Sequence, residues 1–193
     1  MTRDEAWELV NEYVKSPRLL NHLLAVEACM RYFARLYGED EETWGLIGLL
    51  HDFDYERYPN PPDHPLQGER ILAELGVPED IRYTICSHAD SVQDRYPRRS
   101  LRDKVLYAVD ELSGLVVAVA LVRPTKSIHD VDVRAVRKKM KDKRFAAGVD
   151  RDCVVRGAQE LGVDLDEHIG HVIAALQGAA EPLGLSGTVA GDA

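Results

Sequence analysis

The sequence predicts an all-α fold, a bundle of roughly eight or nine helices. Three observations support this fold class. Apolar residues recur every three or four positions, and helix-capping residues, prolines and glycines separate these periodic segments. No segment alternates polar and apolar residues over the length of a strand, although residues 116–119 have some β-branched character.

The first two helices have start signals that can be read directly. Thr2 and Glu5 have the spacing of a capping box, so the first helix begins after Thr2. Ser16 followed by Pro17 begins the second helix, because proline is favoured in a first turn. Gly38 can end this helix, since glycine readily adopts the left-handed conformation found at helix ends.

The next three helices are separated by prolines and glycines. A third helix is predicted over residues 41–50, and the segment 55–63 that follows is too rich in proline to be helical. A fourth helix spans residues 64–76, with a proline in its first turn and a glycine at its end. Pro78 opens a fifth helix that runs through His88.

The rest of the chain is also predicted to be helical. Ser100 caps a long helix, which is halted before Pro124. Including that one, four helices are predicted, over residues 101–121, 130–142, 150–161 and 165–177. Together with the five preceding helices they complete the bundle.

The chain has 193 residues, which corresponds to one domain. We assign residues 1–182 to that domain, with a motif core over 20–122 and C-terminal helices over 128–180. Residues 183–193 are predicted to form a flexible tail. A hydrophobic content of 45% is enough to bury a sizeable core.

Composition and charge argue against several classes of protein. The formal net charge of −9 disfavours a protein that coats nucleic acid or an anionic membrane. No apolar run has the length of a membrane span, and the N-terminus lacks a secretory signal pattern. Cys29, Cys86 and Cys153 are widely spaced, so we expect reduced thiols and a cytoplasmic location. The oligomeric state stays open.

His51 and Asp52 form the most informative feature, since they follow the apolar run 46–50 directly. Both side chains need a partner there, because an unpaired polar group is costly to bury. A divalent metal would satisfy both residues. Imidazole nitrogens and carboxylate oxygens suit Mn, Fe, Co, Ni and Zn, and composition does not distinguish among these ions.

Four further residues extend this pair into a candidate metal-binding set. They lie at helix ends or on helix faces beside apolar stripes, and they are His22, His64, His88 and Asp110. Metal sites in helical bundles are built from side chains on facing helices. Two histidines and two carboxylates could hold one metal, and the two further histidines could complete a second metal that shares Asp52 as a bridge.

Each of these residues also has an ordinary structural explanation. A lone histidine on a helix is more often a core or surface residue than a ligand. Asp110 could pair with Arg102 or Lys104, and His64 could cap a helix. The remaining histidines lack a comparable context and are assigned to the core or the surface: His129, His168 and His171.

The order His, His-Asp, Asp resembles the HD-domain (HDIG-type) metal-dependent phosphohydrolase superfamily over the motif core. Segment 64–72 resembles the H-x-x-x-G helix of that family, and segment 85–88 resembles its fourth-ligand segment. Segment 103–110 is similar to the helix that carries the last ligand. The whole chain is also similar to a small bacterial group of HD-domain hydrolases, with which it shares residues 110–115 and 123–127, and which implies no substrate.

The resemblance implies a hydrolase that cleaves a phosphate ester or a nucleotide, as a phosphomonoesterase or a phosphodiesterase, through a metal-activated water. It implies that a first metal has four ligands, which are His22, His51, Asp52 and Asp110. It implies that a second metal has three ligands, which are Asp52, His64 and His88. Asp52 is also a catalytic candidate. Asp54 or Glu56 could orient the water or protonate the leaving group. The alternative is a regulatory HD-type module that senses a nucleotide or a metal without turnover.

Departures from the family pattern narrow the substrate class. Family members that cleave cyclic dinucleotides carry a lysine shortly after the His-Asp pair and a double histidine at the fourth position. This chain has Phe53 after the pair and Ala89 after His88, which argues against that activity. Members that act on nucleoside monophosphates use an acidic residue after the pair, a role open to Asp54 or Glu56. The extra histidines resemble the dinuclear branch, which includes hydrolases of dinucleoside polyphosphates.

Cationic residues follow the helix that carries Asp110. Arg123 and Lys126 could clamp a substrate phosphate, or they could lie in an ordinary solvated loop. The denser basic segment Arg134–Arg144 could face an acidic substrate or nucleic acid. A charge run is more often a solvated helix face, and the acidity of the chain disfavours nucleic acid. The expected partner is therefore a small-molecule phosphate or nucleotide.

Overall fold

The computed structural model describes residues 1–187, and within them it has nine α-helices and no strand, which confirms the predicted all-α fold. The helices are α1 Arg3–Tyr13, α2 Pro17–Tyr37, α3 Glu41–Leu50, α4 Asp63–Glu74, α5 Glu79–Ser87, α6 Leu101–Leu121, α7 Val133–Met140, α8 Arg151–Leu161 and α9 Leu165–Gly178. None of these helices combines the length and the apolar character that a membrane crossing requires.

The ends of α1 and α2 are set by the predicted capping residues. Thr2 Oγ1 accepts a hydrogen bond from Glu5 N at 3.3 Å, and Glu5 Oε2 accepts one from Thr2 N at 2.6 Å, which completes the capping box. Ser16 Oγ accepts from Leu19 N at the start of α2. Gly38 ends α2 with a φ of 72°, in the left-handed region that glycine tolerates.

The predicted helix over residues 130–142 is shorter in the structure. A 3₁₀ turn covers Ile128–Asp130, and α7 begins only at Val133. The reason is the cap at Asp132, whose Oδ1 accepts from Ala135 N at 2.7 Å and so fixes the first turn. The helix therefore begins after the cap at Asp132 and not at residue 130.

The chain divides into two compact units, Met1–Tyr107 and Ala108–Ala193, with the boundary inside α6. In the second unit, Leu183 and Leu185 are buried, and the Leu185 carbonyl accepts from Ile128 N at 2.9 Å. Packed structure thus continues beyond the predicted domain end at residue 182. The rest of the predicted tail, residues 188–193, lies outside the described residues.

The first unit is organised around α3. Residues 44–50 of this helix are all buried, and α1, α2 and α5 each contact it. The α2 face toward α3 includes Glu27, a buried carboxylate that accepts from Arg3 Nε at 2.8 Å and from Arg31 Nε at 3.0 Å. These charge-assisted bonds satisfy a carboxylate that would otherwise be costly to bury.

The close approach of α2 and α3 depends on Gly48. A Cβ at this position would lie 2.8 Å from the Val26 carbonyl oxygen and 2.9 Å from Glu27 Cα, which is too close for any side chain. Residues one helical turn apart lie on the same face, so His22 shares a face with Val26, and His51 shares one with Gly48. The contact at Gly48 therefore brings these two histidines together.

The second unit contains α7, α8 and α9, with α9 contacting both of the others. His168 of α9 is buried, and its Nε2 donates to the Ala108 carbonyl at 2.9 Å. Burial lowers the pKa of His168, because the charged form loses hydration. His168 is therefore a core histidine, one of the two assignments that its sequence context allowed.

The basic segment Arg134–Arg144 covers most of α7 and the loop after it. Arg137 pairs with Asp166 of α9 at 3.1 Å, and Lys139 lies 4.3 Å from the centre of the Phe145 ring. Arg144 is almost fully exposed. Part of this segment is thus engaged in packing within the second unit, and its role toward a substrate stays a prediction.

Gly48→Ala is expected to lower the free energy of unfolding by about 1–3 kcal/mol, because the new methyl group overlaps backbone atoms of α2. Gly114→Ala in α6 is the matched control. A Cβ there meets nothing within 4 Å, and alanine should stabilise the helix by about 0.5–1 kcal/mol. Urea denaturation followed by circular dichroism measures both variants. Equal stability of the two variants would contradict the close approach at Gly48.

Candidate metal centre

His51 is placed by the C-terminal end of α3. Its side chain is fully buried, and Nδ1 lies 2.8 Å from the carbonyl oxygen of Gly48. A carbonyl can only accept, so Nδ1 is the nitrogen that carries the proton. In the neutral ring the lone pair is therefore on Nε2, the nitrogen that faces His22 and Asp52.

His22 on α2 completes a first group of candidate ligands. Its Nε2 lies 3.2 Å from His51 Nε2 and 4.0 Å from Asp52 Oδ2. Asp52 Oδ2 lies 3.7 Å from His51 Nε2. We call this group, His22, His51 and Asp52, subsite 1. Its outermost member is His22, whose side chain is 22% exposed.

His64 is oriented by a buried carboxylate. Its Nδ1 donates to Asp54 Oδ1 at 2.8 Å, and the other oxygen of Asp54 accepts from Gly68 N at 2.9 Å. The backbone at His64 is extended, with ψ at 129°, because the proline that follows disfavours helical geometry at the preceding residue. With its Nδ1 engaged, the ring turns Nε2 toward Asp52.

His88 follows the last residue of α5 and is oriented by a backbone carbonyl. Its Nδ1 donates to the Ile85 carbonyl at 2.5 Å. The adjoining Ser87 carbonyl accepts from Gln93 Nε2 at 2.7 Å and from Arg98 Nη1 at 3.1 Å, and both bonds hold the chain after the histidine in place. His88 Nε2 therefore faces Asp52, at 3.1 Å from Oδ1.

Asp52, His64 and His88 form a second group, which we call subsite 2. His64 Nε2 lies 3.2 Å from His88 Nε2. Asp52 Oδ1 lies 3.2 Å from His64 Nε2 and 3.1 Å from His88 Nε2. Atoms that bind one ion with bonds of about 2.1 Å are themselves about 3.0–3.4 Å apart. The three distances of subsite 2 therefore match the edges of a coordination polyhedron.

The donor set fits a divalent cation. Asp52 Oδ1 is buried and, among the described residues, has no hydrogen-bond partner of acceptable geometry, although two imidazole nitrogens lie close to it. Burying such an oxygen costs free energy unless a nearby cation compensates its charge. Nitrogen and carboxylate ligands together suit Mn, Fe, Co, Ni or Zn. The identity and number of ions follow from neither observation.

The carboxylates and the histidines of the cluster stabilise each other's charged forms. Burial acts to raise the pKa of Asp52, but the charge of His51 and the contacts with His64 and His88 outweigh it and hold the pKa well below the usual range. Burial acts to lower the pKa of His64, yet the carboxylates of Asp52 and Asp54 raise it to about 10. The cluster therefore retains positive charge where an ion would bind.

Three of the predicted site residues belong to the second unit. Asp110 lies on α6, where its carbonyl accepts from Ser113 Oγ at 2.8 Å. Arg123 and Lys126 follow α6, and Lys126 has a positive φ of 52°. Their roles as metal ligand and phosphate contacts stay predictions. Arg102, one suggested partner of Asp110, pairs with Asp80 at 3.1 Å.

Glu56 and Asp54, the two candidate acid–base residues, differ in setting. Glu56 is exposed, and its Oε2 accepts from the backbone amides of Lys15 and Ser16, both at 3.0 Å. These bonds lower the pKa of Glu56, so it is ionised at neutral pH. Asp54 is buried, and both of its oxygens are occupied by His64 and Gly68.

The orienting role of Asp54 was missed from the sequence. The signal that could have found it is the H-x-x-x-G spacing of His64 and Gly68. A Cβ at Gly68 would lie 2.8 Å from Asp54 Cγ, so the glycine leaves room for the carboxylate and donates its amide to it. A glycine one turn after a candidate ligand can thus indicate a buried partner of that ligand.

The family model for the HD domain matches residues 19–115 of the chain. This match covers just over half of the 193 residues and includes all six candidate ligands. Comparisons with curated proteins and with solved structures gave no match. In the described residues, only two groups of three His, Cys, Asp or Glu side chains have ligand atoms within 4.8 Å of one another, and they are subsites 1 and 2.

Binding of a divalent ion to the metal-free protein at pH 8 is expected to release about one proton from His64, because its pKa of about 10 keeps it protonated there. The apparent affinity for the ion should rise as the pH increases toward 10. Titration calorimetry with Mn²⁺ in two non-chelating buffers of different ionisation enthalpy measures the release. Identical heats in the two buffers would contradict it.

Proposed function

The chain belongs to the HD domain family, and on this basis we propose that it is a metal-dependent phosphohydrolase. The substrate class is a small phosphate ester or a nucleotide. The cofactor is one or two divalent ions, drawn from Mn, Fe, Co, Ni and Zn. The proposal adds catalytic turnover and a substrate class to the family membership.

The observation that carries the proposal is the convergence of imidazole nitrogens on one carboxylate. His51, His64 and His88 each donate Nδ1 to an acceptor that is fixed by the fold, so each presents Nε2 to the same small region. These nitrogens surround Asp52, whose two oxygens face the two subsites. Imidazole nitrogens and carboxylate oxygens that converge in this way form a donor set that suits divalent cations.

A bound divalent ion would supply Lewis-acid chemistry here, by polarising a phosphate oxygen and a water. The protein's own contribution is to fix the ligands. Asp52 faces both subsites and sets their separation, since Oδ1 belongs to subsite 2 and Oδ2 to subsite 1. Asp52 and His22 retain 16% and 22% side-chain exposure, so substrate would reach the centre from their side.

In this proposal, Glu56 is the residue that acts in acid–base catalysis. Asp54 is enclosed and both its oxygens are engaged, so it acts by holding His64 and not by touching substrate. Glu56 is exposed and ionised at neutral pH, so it is in the protonation state that a general base requires. Glu56 is therefore proposed as the general base and not as the general acid.

Substrate phosphate would be bound by cations of the second unit in this proposal. Arg123 and Lys126 are the candidates, because a guanidinium and an ammonium group are suited to phosphate oxygens. Asp110 would join His22, His51 and Asp52 as a ligand of the first metal, as the family pattern implies. Loss of Arg123 or Lys126 should raise KM more than it lowers kcat.

Asp52→Ala is expected to lower metal-dependent phosphate ester hydrolysis by at least about 100-fold, since loss of a residue that only supports a ligand already costs 10–100-fold. The assay follows product release from nucleoside monophosphates, dinucleoside polyphosphates, p-nitrophenyl phosphate and bis-p-nitrophenyl phosphate, with added Mn²⁺, Co²⁺ or Ni²⁺. The last two substrates separate monoesterase from diesterase activity.

Asp94→Ala is the control for this substitution, because Asp94 is an exposed carboxylate outside both subsites. It should hydrolyse the preferred substrate at the wild-type rate. Circular dichroism should show both variants folded. Wild-type turnover by Asp52→Ala would contradict the proposed site. A wild-type protein that binds a nucleotide tightly but hydrolyses none of these substrates would instead be a regulatory module.

A further inference from the structure

We propose that the second unit binds the phosphate backbone of a nucleic-acid duplex through an exposed basic surface. This basic surface consists of the exposed cations at the outer side of α7 and in the loop after it, which are Arg134, Lys138, Lys141, Lys143 and Arg144. The contact is made to phosphates and does not read the base sequence. It adds a partner to the proposed function and depends neither on the metal centre nor on turnover.

The charge of the chain is unevenly distributed along the sequence. Residues 134–144 contain seven basic residues and one acidic residue, so their net charge is +6. Because the whole chain has a net charge of −9, all other residues together carry −15. Charges more than about 8 Å away are largely screened at physiological salt, so the local cations decide what binds here. The acidity of the chain therefore disfavours wrapping by a nucleic acid but permits a local contact.

The exposed cations of α7 lie on one side of the helix. Arg134, Lys138 and Lys141 follow one another at intervals of four and three residues, which places them on the same face. The opposite side packs within the second unit, since Val136 is buried and α7 contacts α9. From the first to the last of these cations the helix rises about 10 Å, and a duplex strand presents about three phosphates over that length.

The basic face of α7 is not explained by contacts or by helix stability. Arg137 pairs with Asp166 at 3.1 Å, whereas Arg134, Lys138 and Lys141 form no ion pair with any residue in the range 1–187. Like charges four residues apart, such as Arg134 and Lys138, destabilise a helix. The helix dipole also disfavours a cation in the first turn, where Arg134 lies. A bound polyanion would remove both penalties.

The loop after α7 is held in place by Arg151, the first residue of α8. Its guanidinium group donates hydrogen bonds to four backbone carbonyls, those of Asp142, Phe145, Ala146 and Val149. Lys143 and Arg144 lie within this segment and are exposed, Arg144 by 98%. The backbone that carries these two cations is therefore ordered before a ligand binds, which lowers the entropic cost of binding.

The side chains of the surface favour a duplex over other polyanions. Proteins that bind single strands offer aromatic side chains on which bases stack. The one aromatic residue of segment 134–149 is Phe145, and Lys139 Nζ lies 4.3 Å from the centre of its ring. No large apolar side chain of α7 is exposed, although a helix that lies on a membrane inserts such side chains. Cations alone suit a phosphate backbone, where each contact releases condensed counterions.

The test is fluorescence anisotropy of a short labelled duplex of mixed sequence, as DNA and as RNA, titrated with the full chain. We expect a dissociation constant of about 1–100 µM at physiological salt. Between 50 and 200 mM salt, a plot of the logarithm of the association constant against the logarithm of salt concentration should have a slope of about −3 to −4. Arg134→Gln/Lys138→Gln and Lys143→Gln/Arg144→Gln should each weaken binding and reduce the size of this slope by about 2.

Arg70→Gln/Arg95→Gln is the matched control, because it removes two exposed cations from the first unit. It should keep the wild-type affinity and slope, and circular dichroism should show all three double variants folded. Preference for the DNA or the RNA duplex identifies the source of the backbone and supports the proposal in either case.

Three results would overturn the proposal. The first is no binding of either duplex by the wild type at 50 mM salt, and the second is an unchanged slope in both basic-surface variants. The third is tighter binding to phosphatidylserine vesicles than to either duplex, which would assign the surface to lipid. None of these measurements uses hydrolysis, so a wild type that cleaves no phosphate ester would contradict only the proposed function.

Discussion

The arrangement of the first unit depends on one constraint: imidazole nitrogens converge on the carboxylate of Asp52, and this donor set suits a divalent cation. His51, His64 and His88 have their Nδ1 atoms committed to fixed acceptors, so their rings cannot turn away without breaking a buried hydrogen bond. Asp52 Oδ1 lies among them with no hydrogen bond from the described residues. Burial acts to lower the pKa of His64, but the carboxylates of Asp52 and Asp54 outweigh it and raise the pKa to about 10.

Two glycines make this convergence possible. Gly48 lets α2 approach α3 closely enough for His22 to meet His51, and Gly68 leaves room for the carboxylate that orients His64. Neither glycine has a positive φ, so each is needed because it has no Cβ and not because of its backbone conformation. A methyl group at either position would act on the site through the packing of helices and of Asp54, without touching any ligand.

The sequence was sufficient to predict much of the fold and the ligand cluster, because the signals involved are local. Ser16 and Gly38 define a helix by hydrogen bonds and dihedral angles within a few residues, and the structure has both caps. The start at Asp132 was missed, because Asp130 and Asp132 are equally good caps by sequence. The role of Asp54 was missed, because its spacing to Asp52 does not by itself tell which carboxylate is a candidate ligand and which lies behind one.

The central claim is that this cluster binds divalent metal, and anomalous diffraction from crystals grown with saturating Mn²⁺ tests it most directly. The account predicts a strong peak about 2.0–2.3 Å from His64 Nε2, His88 Nε2 and Asp52 Oδ1, with a second peak beside His22 and His51. Crystals at saturating metal that show no peak within bonding distance of these side chains would contradict it.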